Sequence, residues 1–335
     1  MGDLILITGV TGFLATHVVG AALEAGYKVR GTVRDLSKGD SLSELYPSRK
    51  DQLELVEVKD LIHSDLTEAF KDVKAIIHTA SPYVIQGIED PEKQLLSPAI
   101  EGTLNVMRAA RAASVQRVVI TSSFAAVTLF DKGGPWRDYT YTEDDWNPAT
   151  FEQANDASKP GAWIYSASKA LAEKAAWNFA KENDIELVTM CPPMIYSKTI
   201  QKVTSKAKLN TSSATIYNLI SKPAEMPDNR LPLFCDARDV AKAHVQALKT
   251  DGAVGHRVLL CGGSYTWQSA TKLLLEQRPE LKDRLPSLDN VEDETRTIAR
   301  LDTTIAQRDL GIQFISFEQC LLDSVDQLLA MEKQW

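Results

Sequence analysis

The stretch that most constrains the fold is residues 4–15, LILITGVTGFLA. The run at 4–8 is short and apolar throughout, the pattern of a strand buried on both faces of a parallel sheet. It closes on Gly9, and Gly9-Val-Thr-Gly12-Phe-Leu-Ala15 leads into an amphipathic segment over 16–25 that stops at Gly26. Strand, glycine turn and helix in this order is the context that a dinucleotide-binding loop requires. Gly9 permits the tight turn and Gly12 lets the backbone approach a pyrophosphate. Ala15 is small enough for the helix to pack on the strand, and the helix N-terminus faces the phosphates. The loop therefore offers Gly9, Thr11, Gly12, Phe13 and Leu14 to a cofactor. Glycine turns are common; the place of this one at the head of an alternating pattern gives it weight.

That alternation runs on. Strand-like segments at 28–33, 53–58, 75–78, 117–121 and 185–190 are separated by helical ones, including 96–113 and 163–183. The pattern predicts an α/β protein with a doubly wound parallel sheet of the Rossmann type. After Tyr196 the composition shifts to Lys, Ser, Thr and Pro, with one apolar helical piece at 214–220. Asp236 can cap a helix, 257–261 reads as a seventh strand, and Ser316 to Gln319 forms a capping-box pattern before a last helix. The expected organisation is a dinucleotide-binding domain over 1–190, to which 233–262 returns. A smaller C-terminal substrate-binding lobe is then drawn from 191–232 and 263–335.

The end of the second strand decides the cofactor. An NAD site places an acid there to accept from the ribose 2′-hydroxyl. Here the strand ends in Arg34, with Lys38 four residues on, and a guanidinium suits a 2′-phosphate. NADPH is the expected cofactor, although Asp35 is near enough to act as the ribose acid if the loop turns differently. Asp60 and Leu61 follow the third strand, as a plausible adenine contact. Thr79, Ala80 and Ser81 follow the fourth, where small residues let a cofactor cross the sheet edge. Thr121 and Pro192, at the ends of the fifth and sixth strands, complete the expected cofactor set. His78 reads as a packed strand-end residue.

The helix at 163–183 carries the chemistry. Tyr165 and Lys169 are four residues apart and rise from one face. A phenol near an ammonium can give up a proton near neutral pH, because a neighbouring positive charge favours the phenolate. Such a pair also arises by chance on many helices. Ser123, at the end of the fifth strand, adds a hydroxyl that can hold a carbonyl oxygen. Together the three form a kit for hydride transfer with proton donation. Residues 131–161 lack a regular pattern and are too many for an idle connection, so they are expected to fold over the site.

Composition removes several other classes. A formal net charge of -8 argues against a nucleic-acid-binding face. No apolar run is long enough to span a bilayer, and the N-terminus lacks the basic region and cleavage site of a signal peptide. Cys191, Cys235, Cys261 and Cys320 lie far apart, which suggests buried thiols in a reducing compartment, with no disulfide frame and no metal site. A cytoplasmic globular protein, monomer or homodimer, with a small-molecule partner is the expectation.

TGVTGFLATH, HTASP, RVVITSSFAAV, YSASK and DARDVAKAH together resemble the extended short-chain dehydrogenase/reductase family. The nearest branch is the dihydroflavonol-reductase-like one, especially fungal NADPH-dependent aldehyde and methylglyoxal reductases. The resemblance runs from residue 4 to about 262. It implies that Ser123, and not Ser122, is the catalytic serine, with Tyr165 the acid and Lys169 its partner. It also implies that Arg34 and Lys38 meet the 2′-phosphate and that Asp60 and Leu61 lie near the adenine. By chain position and by this resemblance, Tyr83, Phe124, Thr128, Ala162 and Met194 converge above the nicotinamide as a mostly apolar substrate pocket. Two departures stand out. The chain reads CPPMIYSK after the sixth strand, so Cys191 and Ser197 replace the family's usual residues. No asparagine completes a proton-relay tetrad; Ile100 and Glu101 lie nearest that place. The competing readings are a sugar-nucleotide epimerase or dehydratase, which an acid in place of Arg34 would suit better, and a non-enzymatic NADP-sensing protein, whose relatives lose the Tyr or the Lys.

Overall fold

The computed structural model describes residues 2–289, 291–292 and 294–335. Its strands in chain order are β1 (Leu4–Thr8), β2 (Lys28–Val33), β3 (Leu53–Glu57), β4 (Ala75–His78), β5 (Arg117–Thr121), β6 (Thr140–Tyr141), β7 (Glu186–Cys191), β8 (Met194–Tyr196), β9 (Leu233–Asp236), β10 (Arg257–Leu259), β11 (Gly263–Ser264) and β12 (Arg300–Leu301). Seven of them form one sheet in the order β10-β7-β5-β4-β1-β2-β3, and every pairing in it is parallel. The order reverses between β1 and β4, so a crevice opens beyond their C-terminal ends, where ligands bind in such sheets. The doubly wound parallel sheet expected from the alternation is the architecture found.

Each face of the sheet has its own core. Val18, Val19, Ala22 and Leu23 of the Phe13–Glu24 helix pack with Val240, Ala243 and Val245 of the Ala237–Ala247 helix on one face. On the other, Val106, Met107 and Ala110 of Ser97–Ala112 pack with Ala176 and Ala180 of Gly161–Asn183. The central strands β1, β4 and β5 are buried on both sides, which is why LILIT, AIIH and the VVI of RVVIT read as apolar runs. β8, β9 and β11 form a second, three-stranded sheet. Behind it lies a separate core of Tyr217, Trp267, Leu274, Leu321 and Leu328. Of the stretch expected to return to the first domain, Arg257–Leu259 pairs with β7, whereas Leu233–Asp236 belongs to the small sheet.

The turns that lead into the strands share one conformation. Gly26, Asp72, Ser114, Asp184 and Gly255 all have φ between 55° and 89°, and each lies within three residues of the start of β2, β4, β5, β7 or β10. These turns lie at the N-terminal edge of the sheet, opposite the crevice. The Gly161–Asn183 helix ends at one of them: Asp184 caps it with φ 55° and donates its N–H to the Ala180 carbonyl. At its other end, a Cβ on Gly161 would stand 2.2 Å from the Ile85 carbonyl oxygen. Only glycine lets this helix start so close to the loop after β4.

Candidate active site

Backbone hydrogen bonds lace the crevice together before any side chain reaches into it. Gly9 sits at φ 68°, and a Cβ there would approach the Ala80 Cβ to 3.0 Å. Its N–H donates to Thr32 Oγ1 at 3.0 Å, and the Gly12 N–H donates to the Gly9 carbonyl at 2.9 Å. Thr8 Oγ1 accepts from the N–H groups of Thr79 and Ala80, both at 3.1 Å, and meets His78 Nδ1 at 2.8 Å. His78 is therefore a buried brace, held neutral because burial lowers its pKa to about 3. The loops after β1 and β4 are thus one rigid unit. Gly12 caps the following helix without a side-chain cap, which leaves its first N–H groups facing the crevice.

The crevice is a groove of about 700 Å³. Gly9, Thr11, Gly12, Phe13, Leu14, Arg34, Asp60, Leu61, Thr79, Ala80 and Ser81 all line it, and Tyr83 stands at its wall. Lys38, Thr121 and Pro192 do not line it. Lys38 closes a short 3-10 turn at the surface, Thr121 is bonded to His244 Nε2 at 2.7 Å, and the Pro192 carbonyl accepts from the Phe124 N–H at 2.8 Å. Asp35 is also absent from the lining. Its carboxylate instead accepts from the Ser37 N–H and hydroxyl at 2.9 and 2.7 Å, bonds that hold it below its ordinary pKa. These residues fit a phosphorylated dinucleotide: a glycine cradle without side chains, an uncapped helix N-terminus, and a guanidinium at the strand end. Sequence reasoning missed Ala99, Gly102 and Thr103, which the Ser97–Ala112 helix presents to the groove. Ile100 and Glu101, nearest the place of the absent asparagine, do not line it.

Beyond Tyr83 stand Ser123, Tyr165 and Lys169, the three groups expected to react. Ser123 has extended backbone and caps the Phe124–Ala126 turn, accepting from the Ala125 N–H at 3.1 Å. Burial and then Tyr83 push the Tyr165 phenol pKa above its ordinary value, against a smaller opposing effect of Ser123. The Tyr83 ring meets the Tyr165 ring edge-on, centroids 5.0 Å apart. Lys169 is 7% exposed and donates to the Thr121 carbonyl at 3.0 Å and to Ser81 Oγ at 3.4 Å. Burial brings its pKa down to about 8, against the opposing charge of Glu173. The expected depression of the tyrosine by the lysine is thus not the balance in this arrangement. Burial dominates, and the phenol carries its proton throughout the neutral range.

The expected substrate wall divides. Ala162 is exposed and Met194 partly so, but Phe124 and Thr128 are 3% and 1% exposed. Phe124 packs on Tyr141 at 5.1 Å, and Thr128 Oγ1 lies 3.4 Å from the Tyr141 hydroxyl. None of the four lines the groove: apolar burial behind the serine turn takes Phe124 and Thr128, while Ala162 and Met194 keep exposed surface beyond it. Residues 131–161 also do otherwise than expected: none lines the groove. They buttress the back of the site, where β6 pairs with β12 and Asn147 bonds the Ala126 carbonyl at 2.9 Å. The two departures are structural. Cys191 is fully buried, and Ser197 donates to Asp236 Oδ1 at 2.9 Å. A contact with no sequence signal joins the lobes: Gln201 Nε2 donates to the Thr11 carbonyl of the glycine loop.

The sequence profile of the NAD dependent epimerase/dehydratase family matches residues 5–262. The chain belongs to that family. Among its extended short-chain dehydrogenase/reductase relatives, the chain is 38% identical to an uncharacterized oxidoreductase of Schizosaccharomyces pombe, over 98% of this chain and 97% of that one. It is 32% identical to the NADPH-dependent methylglyoxal reductase of Saccharomyces cerevisiae, over 98% of both chains. Its fold matches the crystal structure of a yeast methylglyoxal/isovaleraldehyde reductase complexed with NADPH, with a TM-score of 0.87, 30% identity and coverage of 99% of this chain and 100% of that one. Among the described residues no helix is long and apolar enough to cross a membrane.

Proposed function

We propose that this protein is an NADPH-dependent carbonyl reductase that converts an aldehyde or ketone to an alcohol, with Tyr165 as proton donor. The observation that carries the reading is the edge-on packing of Tyr165 against Tyr83, which sets the phenol beside a groove that Tyr83 lines and whose strand-end side chain is Arg34. The NADPH-dependent relatives support the cofactor. Gly9, Thr11 and Gly12 would hold the pyrophosphate, Arg34 the 2′-phosphate, and Asp60 and Leu61 the adenine side. When bound, NADPH supplies the hydride. Ser123 Oγ holds the carbonyl oxygen at the place where negative charge develops. Tyr165, held protonated by burial, passes its proton to that oxygen. Lys169 stabilises the phenolate that remains.

Tyr83, Ala162 and Met194 make the substrate wall, apolar except for the Tyr83 hydroxyl, with a thioether that adapts to shape. Medium-sized uncharged aldehydes and ketones are the proposed substrates, among them aryl or alkyl ketones, keto esters and α-dicarbonyls. The three buried and one partly exposed free cysteines suit a reducing compartment such as the cytoplasm. The test is NADPH oxidation, followed by absorbance, against a panel of such carbonyls. Turnover of UDP- or GDP-sugars with no activity on the panel would replace this reading with an epimerase.

A further inference from the structure

Beneath the site lies an ion pair that the chemistry above does not use. Glu173, one helical turn beyond Lys169, is 2% exposed, and its partner Arg257 is 5% exposed. Arg257 Nε donates to Glu173 Oε1 at 2.8 Å and Nη2 to Oε2 at 3.2 Å. The carboxylate also accepts from Ser122 Oγ at 2.5 Å, Thr189 Oγ1 at 2.6 Å and Trp177 Nε1 at 3.3 Å. Arg257 lies over the Trp146 ring at 3.4 Å and donates Nη2 to the Ala126 carbonyl at 3.3 Å.

A buried pair of this kind is a poor source of stability, since taking two ions out of water costs several kcal/mol each and apolar replacements often do as well. What the pair touches is more telling. Ser122 precedes the catalytic serine, and Ala126 ends the turn that Ser123 caps. Lys169 and Glu173 line one small cavity of about 10 Å³, together with Ser81, Thr121 and Ser122. We propose that Glu173 and Arg257 are positioning residues: the carboxylate fixes the Ser122–Ser123 turn and supplies the negative charge that faces Lys169, while Arg257 anchors the carboxylate. This rests on the roles given above to Ser123 and Lys169.

The electrostatics around Lys169 agree. Glu173 from its own helix opposes the effect of burial on the ammonium; Cys191 from β7 and His78 from β4 are its other titratable neighbours. Burial pushes the Cys191 thiol up and His78 down, so both stay neutral. Burial also pushes the Glu173 carboxyl up, but the Arg257 hydrogen bonds and charge outweigh it and keep it ionised. Of these three neighbours, Glu173 alone carries a negative charge.

Glu173→Gln alone would strand a buried guanidinium and risks unfolding, so the decisive variant combines Glu173→Gln with Arg257→Met. Folding is checked by circular dichroism, and Lys169 is followed by NMR titration of its labelled ¹⁵Nζ. The Lys169 midpoint should fall by about one pH unit. The alkaline limb of kcat/KM should move down with it, and KM for the carbonyl should change less than about threefold. Glu173→Asp, which keeps the charge, should hold the midpoint near that of the wild type. A folded double variant with an unmoved Lys169 midpoint overturns the proposal, as does a Glu173→Asp midpoint that falls as far as the double variant's. Should the wild type reduce no carbonyl, the proposed function fails, while the Lys169 titration still decides the role of the pair.

Discussion

Tyr165 and Arg34 give the sharpest single-residue tests. Tyr165→Phe keeps the ring that packs on Tyr83 and removes only the hydroxyl. NADPH binding, read by fluorescence, should survive, and kcat should fall about 10²–10⁴-fold. Retention of more than about a tenth of kcat would remove Tyr165 as the donor. Arg34→Ala should raise KM for NADPH about 10–100-fold and leave NADH nearly unchanged, since a charge-assisted hydrogen bond contributes about 1.5–3 kcal/mol. Equal loss with both cofactors would make Arg34 structural. The pH dependence follows from Lys169, whose pKa burial lowers to about 8. Its ammonium is present below that pH and lost above it, so kcat/KM with NADPH varied should decline on the alkaline side near pH 8. A profile flat to pH 10 would refute that assignment. At this scale the sequence was informative where chemistry needs a residue type at fixed spacing. Tyr165 and Lys169 share a helix face whatever surrounds them. It was uninformative for Phe124 and Thr128, because adjacency to Ser123 in the chain does not say which way a side chain turns. Glu173 and Arg257, 84 residues apart, gave no sign of their pairing, which only the sheet order brings about.

Among the elements, the Gly161–Asn183 helix is the one whose placement sets the geometry of the tyrosine. Gly161→Ala should raise helix propensity by at most about 1 kcal/mol. The clash with a backbone carbonyl at 2.2 Å outweighs that gain, and overpacking of this kind costs about 1–3 kcal/mol. The urea midpoint should therefore drop, and kcat should fall with it because the helix start carries Tyr165 away from Ser123. A stabilised Gly161→Ala protein would contradict the packing described. Element boundaries were legible to within a few residues because caps and apolar runs are local: the helix read as 163–183 begins only two residues earlier. Residues 131–161 were not, since β6 finds its partner in β12, about 160 residues away, and no local pattern encodes such a pairing.

Over the whole molecule, the Gln201 bond to the Thr11 carbonyl holds the second lobe across the glycine loop. Gln201→Ala should weaken NADPH binding about 2–10-fold, the range of one neutral hydrogen bond, and leave single-turnover chemistry unchanged. An unaltered Kd would show the contact to be incidental to cofactor retention. The parallel order of the main sheet has a practical consequence too. All groups assigned to chemistry lie at one edge, and the left-handed turns at Asp72, Ser114 and Asp184 lie at the other. A left-handed conformation costs a non-glycine residue about 1–2 kcal/mol, of which glycine recovers only part because it also loosens the unfolded chain. Ser114→Gly with Asp184→Gly should raise the melting temperature while kcat stays within twofold. Robustness and turnover, which usually trade against each other, can therefore be engineered separately in this scaffold, and the same remote edge is where a surface anchor or fusion partner can be attached without crowding the reaction.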